Sequence, residues 1–375
     1  EQRASLLASA GHLRLRPLVL VVDDRTWTVQ RRDDRFVVEP GDRTDDGVKR
    51  ARLRLTAQQL DDLVNDEVTP VGWMTAGADV QDEGQIGHVL QWWLVLRSAI
   101  DGTPVHEPGA VQVDADLGRS FSLDDDPAEL RSFLEEAGYL HLRGVFDEVE
   151  MATISADMDR AEPSYSPDDG NSWWATLDDG SQRVVRMQAF EQHSDATAAL
   201  LVDDRFLALG ALAGDGHVHR RRPENRIEAL FKPIGVQQGI SDVPWHKDCS
   251  LGRHSYECCA ITAGISVTGA GPGSGQLRVA AGSHRALIWP SLQDVESELD
   301  LPVVDLATET GDVTLHLSCT LHMAEPPVVA ERRVLYTTFS LPPVDPEANR
   351  AANRRLLEAS RDQASKNTSQ VPART

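Results

Sequence analysis

The chemistry-bearing residues of this 375-residue chain centre on Pro244-Trp245-His246-Lys247-Asp248. In extended backbone, positions i and i+2 share a face, so His246 and Asp248 point one way and Lys247 the other. An imidazole beside a carboxylate is two-thirds of a 2-His-1-carboxylate set. That set holds non-haem Fe(II) and leaves coordination positions open for reactants. The pair alone is a weak signal, because 12 histidines in a chain this rich in Asp make a His-x-Asp triplet expected by chance. A second triplet, His193-Ser194-Asp195, precedes the helical run 196–201, where Ser and Asp serve better as N-terminal caps. His217-Val218-His219 runs into Arg220, Arg221 and Arg222 and reads as a basic loop.

Ordered features flank the first triplet. Upstream lies Ala229-Leu230-Phe231-Lys232-Pro233. Downstream are the runs 275–285 (GQLRVAAGSHR) and 311–316 (GDVTLH), then His322, then Arg332-Arg333. Elements must bring these together. From residue 228 to about 341, short apolar runs separated by Gly, Pro and Ser predict an all-β sandwich or jelly roll. Before it, 128–138 and 148–160 read as amphipathic helices, 139–142 as a strand, and 196–213 as mostly helical. Trp173 and Trp174 fall in a polar loop, 171–174, placed to close over a site or to pack its own rings.

The N-terminal third has a different texture. Residues 24–56 alternate polar and apolar, which predicts half-buried antiparallel strands. Thr56 caps a helix carrying Leu60, Leu63 and Val64. Residues 71–74 read as a further strand. A second helix with Ile86, Val89, Leu90, Trp93, Leu94 and Leu96 is too apolar to face solvent. Pro104, Pro108, Gly109 and the run Asp124-Asp125-Asp126-Pro127 mark a boundary. The expected divisions are 16–110, a linker 111–127, 128–342, and a tail 343–375 that starts as a helix and ends disordered.

Composition excludes some classes. Lys plus Arg number 37 and Asp plus Glu 59, a net charge of −22 that repels phosphate backbones and anionic lipid surfaces. Nucleic acid and membranes are therefore not the expected partners. No apolar stretch reaches the ~20 residues of a spanning helix, and no basic-then-apolar leader is visible. Four cysteines without CxxC spacing predict neither a disulfide framework nor a zinc site, and a reduced, cytoplasmic setting follows.

Taken in order, the blocks 136–140 (EAGYL), Lys232-Pro233 with Trp245-His246-Lys247-Asp248, 275–284 (GQLRVAAGSH) and the GD…H…R ending are similar to the phytanoyl-CoA dioxygenase family over about 128–342. That family comprises Fe(II)- and 2-oxoglutarate-dependent oxygenases. The resemblance implies a double-stranded β-helix (jelly-roll, cupin-like) core with flanking helices; with the small N-terminal α+β domain read from the pattern above, the expected class is α+β. The resemblance also implies His246, Asp248 and His322 as iron ligands, with 2-oxoglutarate and O2 as co-substrates. His316 is left as a packed or hydrogen-bonded core histidine. A cation must pair the far carboxylate of 2-oxoglutarate, and an arginine fork does so best. Counting from His322 favours Arg333, strand register favours Arg332, and Lys232 is a further candidate. Gly282 serves a turn, and Ser283 and His284 are structural. The family's Ser and Asn after the distal histidine fall here on Ala324 and near Pro326-Pro327, so a hydroxyl toward the co-substrate is missing. Retention of Asp248, which related halogenases lack, favours hydroxylation, desaturation or ring formation.

The N-terminal order resembles the sterol-carrier-protein-2-like lipid-binding module, on residues 50–66 (RARLRLTAQQLDDLVND) and the apolar helix after Gly84. Under it, Trp92 and Trp93 line an apolar cavity. A packed accessory domain is the alternative. The leading reading is an oxygenase acting on a small, largely apolar metabolite, a lipid, terpenoid or other natural product. One rival is a lipid or sterol carrier whose barrel is inactive; another is a cupin-like iron enzyme without 2-oxoglutarate.

Overall fold

The computed structural model describes residues 9–342 and 347, apart from 34, 67, 71, 73–79, 83–86, 215, 220–225, 240–243, 251–259 and 289–298. The N-terminal part is a five-stranded sheet of order β3-β2-β1-β4-β5. Its strands are β1 (Leu18–Val22), β2 (Arg25–Arg32), β3 (Arg35–Pro40), β4 (Ala51–Leu55) and β5 (Val80–Asp82). The continuous apolar run of β1 takes the centre, where both faces are covered. β1, β2 and β3 form the expected antiparallel meander, but β4 joins β1 in parallel, from Leu18↔Ala51 to Val22↔Leu55. Period-two alternation reports which face is buried, not which way the neighbour runs.

Thr56 caps α1 (Ala57–Val64) through a reciprocal capping box with Gln59. The apolar helix is α2 (Gly87–Asp101). Trp92 on it is 5% exposed, meets Phe36 edge-on at 5.6 Å, and donates its indole N–H to Arg16 O at 2.6 Å. The ring is packed and hydrogen-bonded within the core under the sheet. Of the expected strand 71–74 only Gly72 is described, and it is helical; Ile86 lies outside the described residues.

The C-terminal part begins with α3 (Pro127–Ala137), capped by Asp126 and ended by Gly138 at φ 84°. This left-handed turn feeds β6 (Tyr139–Leu142) directly into the core. α4 (Glu148–Ala161), α5 (Asp195–Leu200) and α6 (Asp204–Ala211) occupy the predicted helical stretches. The remaining strands are β7 (Ser172–Leu177), β8 (Gln182–Met187), β9 (Val218–His219), β10 (Glu228–Lys232), β11 (Val236–Gln238), β12 (Ala260–Ser266), β13 (Leu277–Ala280), β14 (Val303–Leu306), β15 (Val313–Leu317), β16 (His322–Ala324) and β17 (Arg332–Ser340).

They make a nine-stranded sheet, β11-β7-β8-β10-β17-β12-β15-β6 with β9 beside β17, and a three-stranded sheet, β14-β13-β16. Leu277, Val279 and Leu306 of the small sheet share one core with Ile261, Ala263, Leu315 and Leu335 of the large one. The segment before α3 is docked as well: Phe121 is fully buried and exchanges backbone hydrogen bonds with His141 and Arg143 at 2.8 Å.

One expectation changes here and another holds. Trp173 and Trp174 are in β7, not in a loop, and the Arg186 guanidinium stacks on Trp173 at 4.3 Å from the opposite strand position. Such a cross-strand cation–π pair explains why aromatic residues prolong the hairpin. Ser194 caps α5 by accepting from Thr197 N at 3.0 Å, as read for the second triplet. The tail beyond 347 lies outside the described residues.

Candidate metal centre

His322 opens β16 and faces His246 across an isolated antiparallel bridge. Each amide donates to the other's carbonyl at 2.9 Å, which sets the two rings side by side with centroids 4.2 Å apart. Asp248 is not in strand conformation but starts a 3-10 turn, Asp248–Ser250. The turn still returns its carboxylate to the histidines. Asp248 Oδ1 lies 3.5 Å from His246 Nε2 and 3.6 Å from His322 Nε2. One donor atom from each of the three residues falls within 4.8 Å of the other two. Ligands at right angles on bonds of about 2.1 Å stand about 3 Å apart and opposite ones about 4.2 Å, so the 3.5 and 3.6 Å separations from Asp248 Oδ1 are within one ion's reach.

The rings are oriented from behind. His246 Nδ1 is 2.7 Å from Pro244 O, and His322 Nδ1 is 2.9 Å from Thr320 O. A carbonyl accepts only from N–H, so each Nδ1 carries the proton and each Nε2 lone pair faces the shared space. Burial drives His322 well below the ordinary histidine range, helped by the neighbouring His316 and His246. Burial alone would raise the Asp248 carboxyl. The neighbouring His322, His246 and His316 outweigh it and hold the group well below its usual range. A neutral imidazole and a carboxylate are the forms a divalent cation needs. The Asp248 side chain keeps 32% exposure against 11% for His246 and 6% for His322, so the set is open on the aspartate side.

Lys247 points away, as the strand reading expects, and does structural work there. Its buried Nζ donates to Ser283 O at 2.9 Å and Ala286 O at 3.1 Å, and burial pushes its pKa down to about 8. Ser283 Oγ accepts from Leu321 N at 2.7 Å. One turn, entered by Gly282 at φ 77°, therefore grips the segment of His246 and Asp248 on one side and that of His322 on the other. Ser283 acts as a brace, in line with the expected structural role, and the Lys247 contact was not anticipated.

The structure separates the candidate cations. Arg332 is 1% exposed and donates to Gly275 O at 2.8 Å, while its Nε has no hydrogen-bond partner and no carboxylate pairs with it among the described residues. Arg333 turns outward to Asp159 at 2.8 Å, Glu331 at 3.3 Å and Ser155. Lys232, 3% exposed, stands at the strand position directly opposite Arg332. Ala324 is buried in β16 and offers no hydroxyl.

His316 is 1% exposed, as a core histidine should be, but its neighbour is Asp248: Nε2 lies 3.3 Å from Oδ2. Thr262 Oγ1 donates to the same Oδ2 at 2.8 Å. Sequence reasoning passed over Thr262, a hydroxyl inside the otherwise apolar run 260–265; a polar residue at a core-facing position was the available signal. Cys249 is a free thiol with Sγ 3.6 Å from Cys319 Sγ. Cys319 is disulfide-bonded, which departs from the expectation of reduced thiols. Cys258 and Cys259 lie outside the described residues.

A family model described as phytanoyl-CoA dioxygenase (PhyH) matches residues 134–334, more than half of the chain. The chain belongs to the phytanoyl-CoA dioxygenase family. Fe(II) is the metal of this family, with 2-oxoglutarate and O2 as co-substrates. Among solved structures, AviO1 from Streptomyces viridochromogenes Tue57 is 21% identical, with 59% of this chain and 97% of that one covered and a TM-score of 0.45. The epimerase SnoN, in complex with Fe3+, alpha ketoglutarate and nogalamycin RO, is 19% identical over 57% of this chain and 84% of its own, with a TM-score of 0.44. EctD from S. alaskensis, with 2-oxoglutarate and 5-hydroxyectoine, is 19% identical over 64% and 86%, with a TM-score of 0.46. Comparison with curated protein sequences gives no match. Among the described residues no helix is long and apolar enough to cross a membrane. The family match begins beyond the N-terminal sheet, so it carries no support for a sterol-carrier-like module.

Proposed function

We propose that the chain is an Fe(II)- and 2-oxoglutarate-dependent oxygenase that oxidises a C–H bond of a small, largely apolar metabolite. Hydroxylation, desaturation and ring formation are the outcomes open to it. The observation that carries this reading is the meeting of His246 Nε2, His322 Nε2 and Asp248 Oδ1 on one side of the core. A small cup made of two neutral nitrogens and one carboxylate oxygen suits a borderline divalent metal and leaves positions free. Iron bound there, with 2-oxoglutarate, supplies the activation of O2 that no side chain can provide.

The chain's own part is positional. His246, Asp248 and His322 would hold the ion, and the Pro244 and Thr320 carbonyls fix the ring tautomers. Arg332 would pair the far carboxylate of 2-oxoglutarate, because a buried guanidinium without an anion is costly and a guest dianion satisfies it. Lys232 would add charge on the facing strand. Arg333 is assigned to the surface. We read the two packed sheets as the double-stranded β-helix core and the five-stranded sheet as a separate accessory domain.

The test is anaerobic titration of the protein with Fe(II) and 2-oxoglutarate. The expected result is a weak visible charge-transfer band that His246→Ala abolishes, together with 2-oxoglutarate-dependent succinate release in air. No band and no succinate would leave the lipid-carrier reading standing.

A further inference from the structure

The Asp248 carboxylate has two oxygens with different neighbours. Oδ1 faces His246 and His322, whereas Oδ2 faces Thr262 Oγ1 at 2.8 Å and His316 Nε2 at 3.3 Å. Thr262 and His316 are directly opposed residues of β12 and β15, and opposed residues of an antiparallel pair project from the same face. One rung of the large sheet thus aims two donors at one oxygen. His316 Nδ1 is buried with no hydrogen-bond partner, so the ring proton belongs on Nε2, where an acceptor waits. Thr262 Oγ1 has the Asp248 oxygen as its acceptor at the same point.

A carboxylate can hold a metal through one oxygen or through both. Two-oxygen binding fills a position that a bidentate co-substrate and O2 both need. Oδ2 committed to a hydroxyl and an imidazole cannot also swing to the ion without breaking both contacts. We propose that His316 and Thr262 form a clamp on Asp248 Oδ2 that restricts Asp248 to ligation through Oδ1 alone. The clamp rests on the reading of His246, Asp248 and His322 as the metal ligands. His316 and Thr262 are positioning residues, acting on the ion through Asp248.

The experiment uses Co(II) as a spectroscopic probe with the full-length protein, in the wild type and in the His316→Phe, His316→Gln and Thr262→Val variants. Metal affinity is read by calorimetry, coordination by the Co(II) visible spectrum, and folding by circular dichroism. Outer partners of metal ligands commonly govern 10- to 100-fold in affinity. The clamp predicts a loss of that order in His316→Phe and in Thr262→Val, with a Co(II) spectrum shifted toward a higher coordination number. It also predicts recovery toward wild type in His316→Gln, which retains an N–H donor. Thr262→Val is nearly isosteric, so it answers the question if His316→Phe does not fold. Wild-type affinity and spectrum in folded His316→Phe or Thr262→Val would overturn the clamp while leaving the metal site intact. Absence of Co(II) binding by the wild type would instead overturn the ligand assignment and the clamp with it.

Discussion

Replacing Arg332 by Met separates the two adjacent arginines and tests whether the buried one awaits an anion. In the protein without co-substrate, Arg332 is a guanidinium at 1% exposure with one hydrogen bond, to Gly275 O, and no carboxylate partner among the described residues. Methionine removes that hydrogen bond, a loss of about 1 kcal/mol. It also removes an uncompensated buried charge, where apolar replacements run from neutral to about 4 kcal/mol stabilising. Arg332→Met should therefore melt at or above the wild-type temperature. Binding should respond in the opposite sense. Truncating one partner of a buried, hydrogen-bonded charge pair costs about 2–5 kcal/mol. At about 1.4 kcal/mol per decade, 2-oxoglutarate affinity should fall between about 30-fold and several thousand-fold. Arg332→Lys, which keeps the charge but loses the planar fork, should fall in between. Arg333→Met loses its pairing to Asp159 and Glu331, groups 57% and 26% exposed, so it should lose no more than about 1–2 kcal/mol of stability and no affinity. Calorimetric titration of Mn(II)-loaded protein with 2-oxoglutarate, paired with thermal melts, reads both quantities. Arg332→Met binding within threefold of wild type, or Arg333→Met losing affinity equally, would refute the reasoning.

Other consequences can be checked alongside. A divalent metal at 100 times its dissociation constant should stabilise the wild type by about 2.7 kcal/mol, and chelator, His246→Ala or His322→Ala should each remove that gain in a melt. Burial, with smaller contributions from Arg285 and Lys247, depresses His284 to about 4 against an ordinary value of 6.5, despite its bond to Glu135 O. The unfolded chain then takes up the proton first, so stability is complete above about pH 6.5 and declines as pH falls toward 4, by at most about 3 kcal/mol. Urea denaturation across that range should show this slope, and His284→Asn should flatten it. Gly311 has φ 86°, and a side chain there would collide with the Phe146 carbonyl. Gly311→Ala should lower stability by about 3 kcal/mol or more, read as a shifted urea midpoint.

The grouping of His246, Asp248 and His322 was legible because its parts are short motifs in a fixed order, each tied to a turn or strand that local chemistry specifies. Gly138 and Gly282 illustrate this, the first ending α3 and the second opening the 3-10 turn 283–285, both with positive φ. Arg332 and Arg333 were not separable, since adjacent strand residues face opposite sides and one residue of register reverses the answer. The pairing of Thr262 with Asp248 was invisible because Asp248 is brought to it by the 3-10 turn at 248, which no periodicity announces. In the N-terminal sheet, alternation exposed the strands and Thr56 the helix start. The parallel entry of β4 depends on the connection from β3, which alternation does not describe. Trp173 and Trp174 were misplaced because polar neighbours hid a hairpin that Arg186 completes from the other strand.

The reciprocal amide bonds between His246 and His322 carry an evolutionary corollary. Insertions and deletions in the connections that separate these two histidines can accumulate freely, as they move neither backbone partner. A single added residue inside the bridged segments would rotate one imidazole to the far face and silence the centre outright. Divergence among relatives should thus show as variable loop lengths around two segments of invariant length.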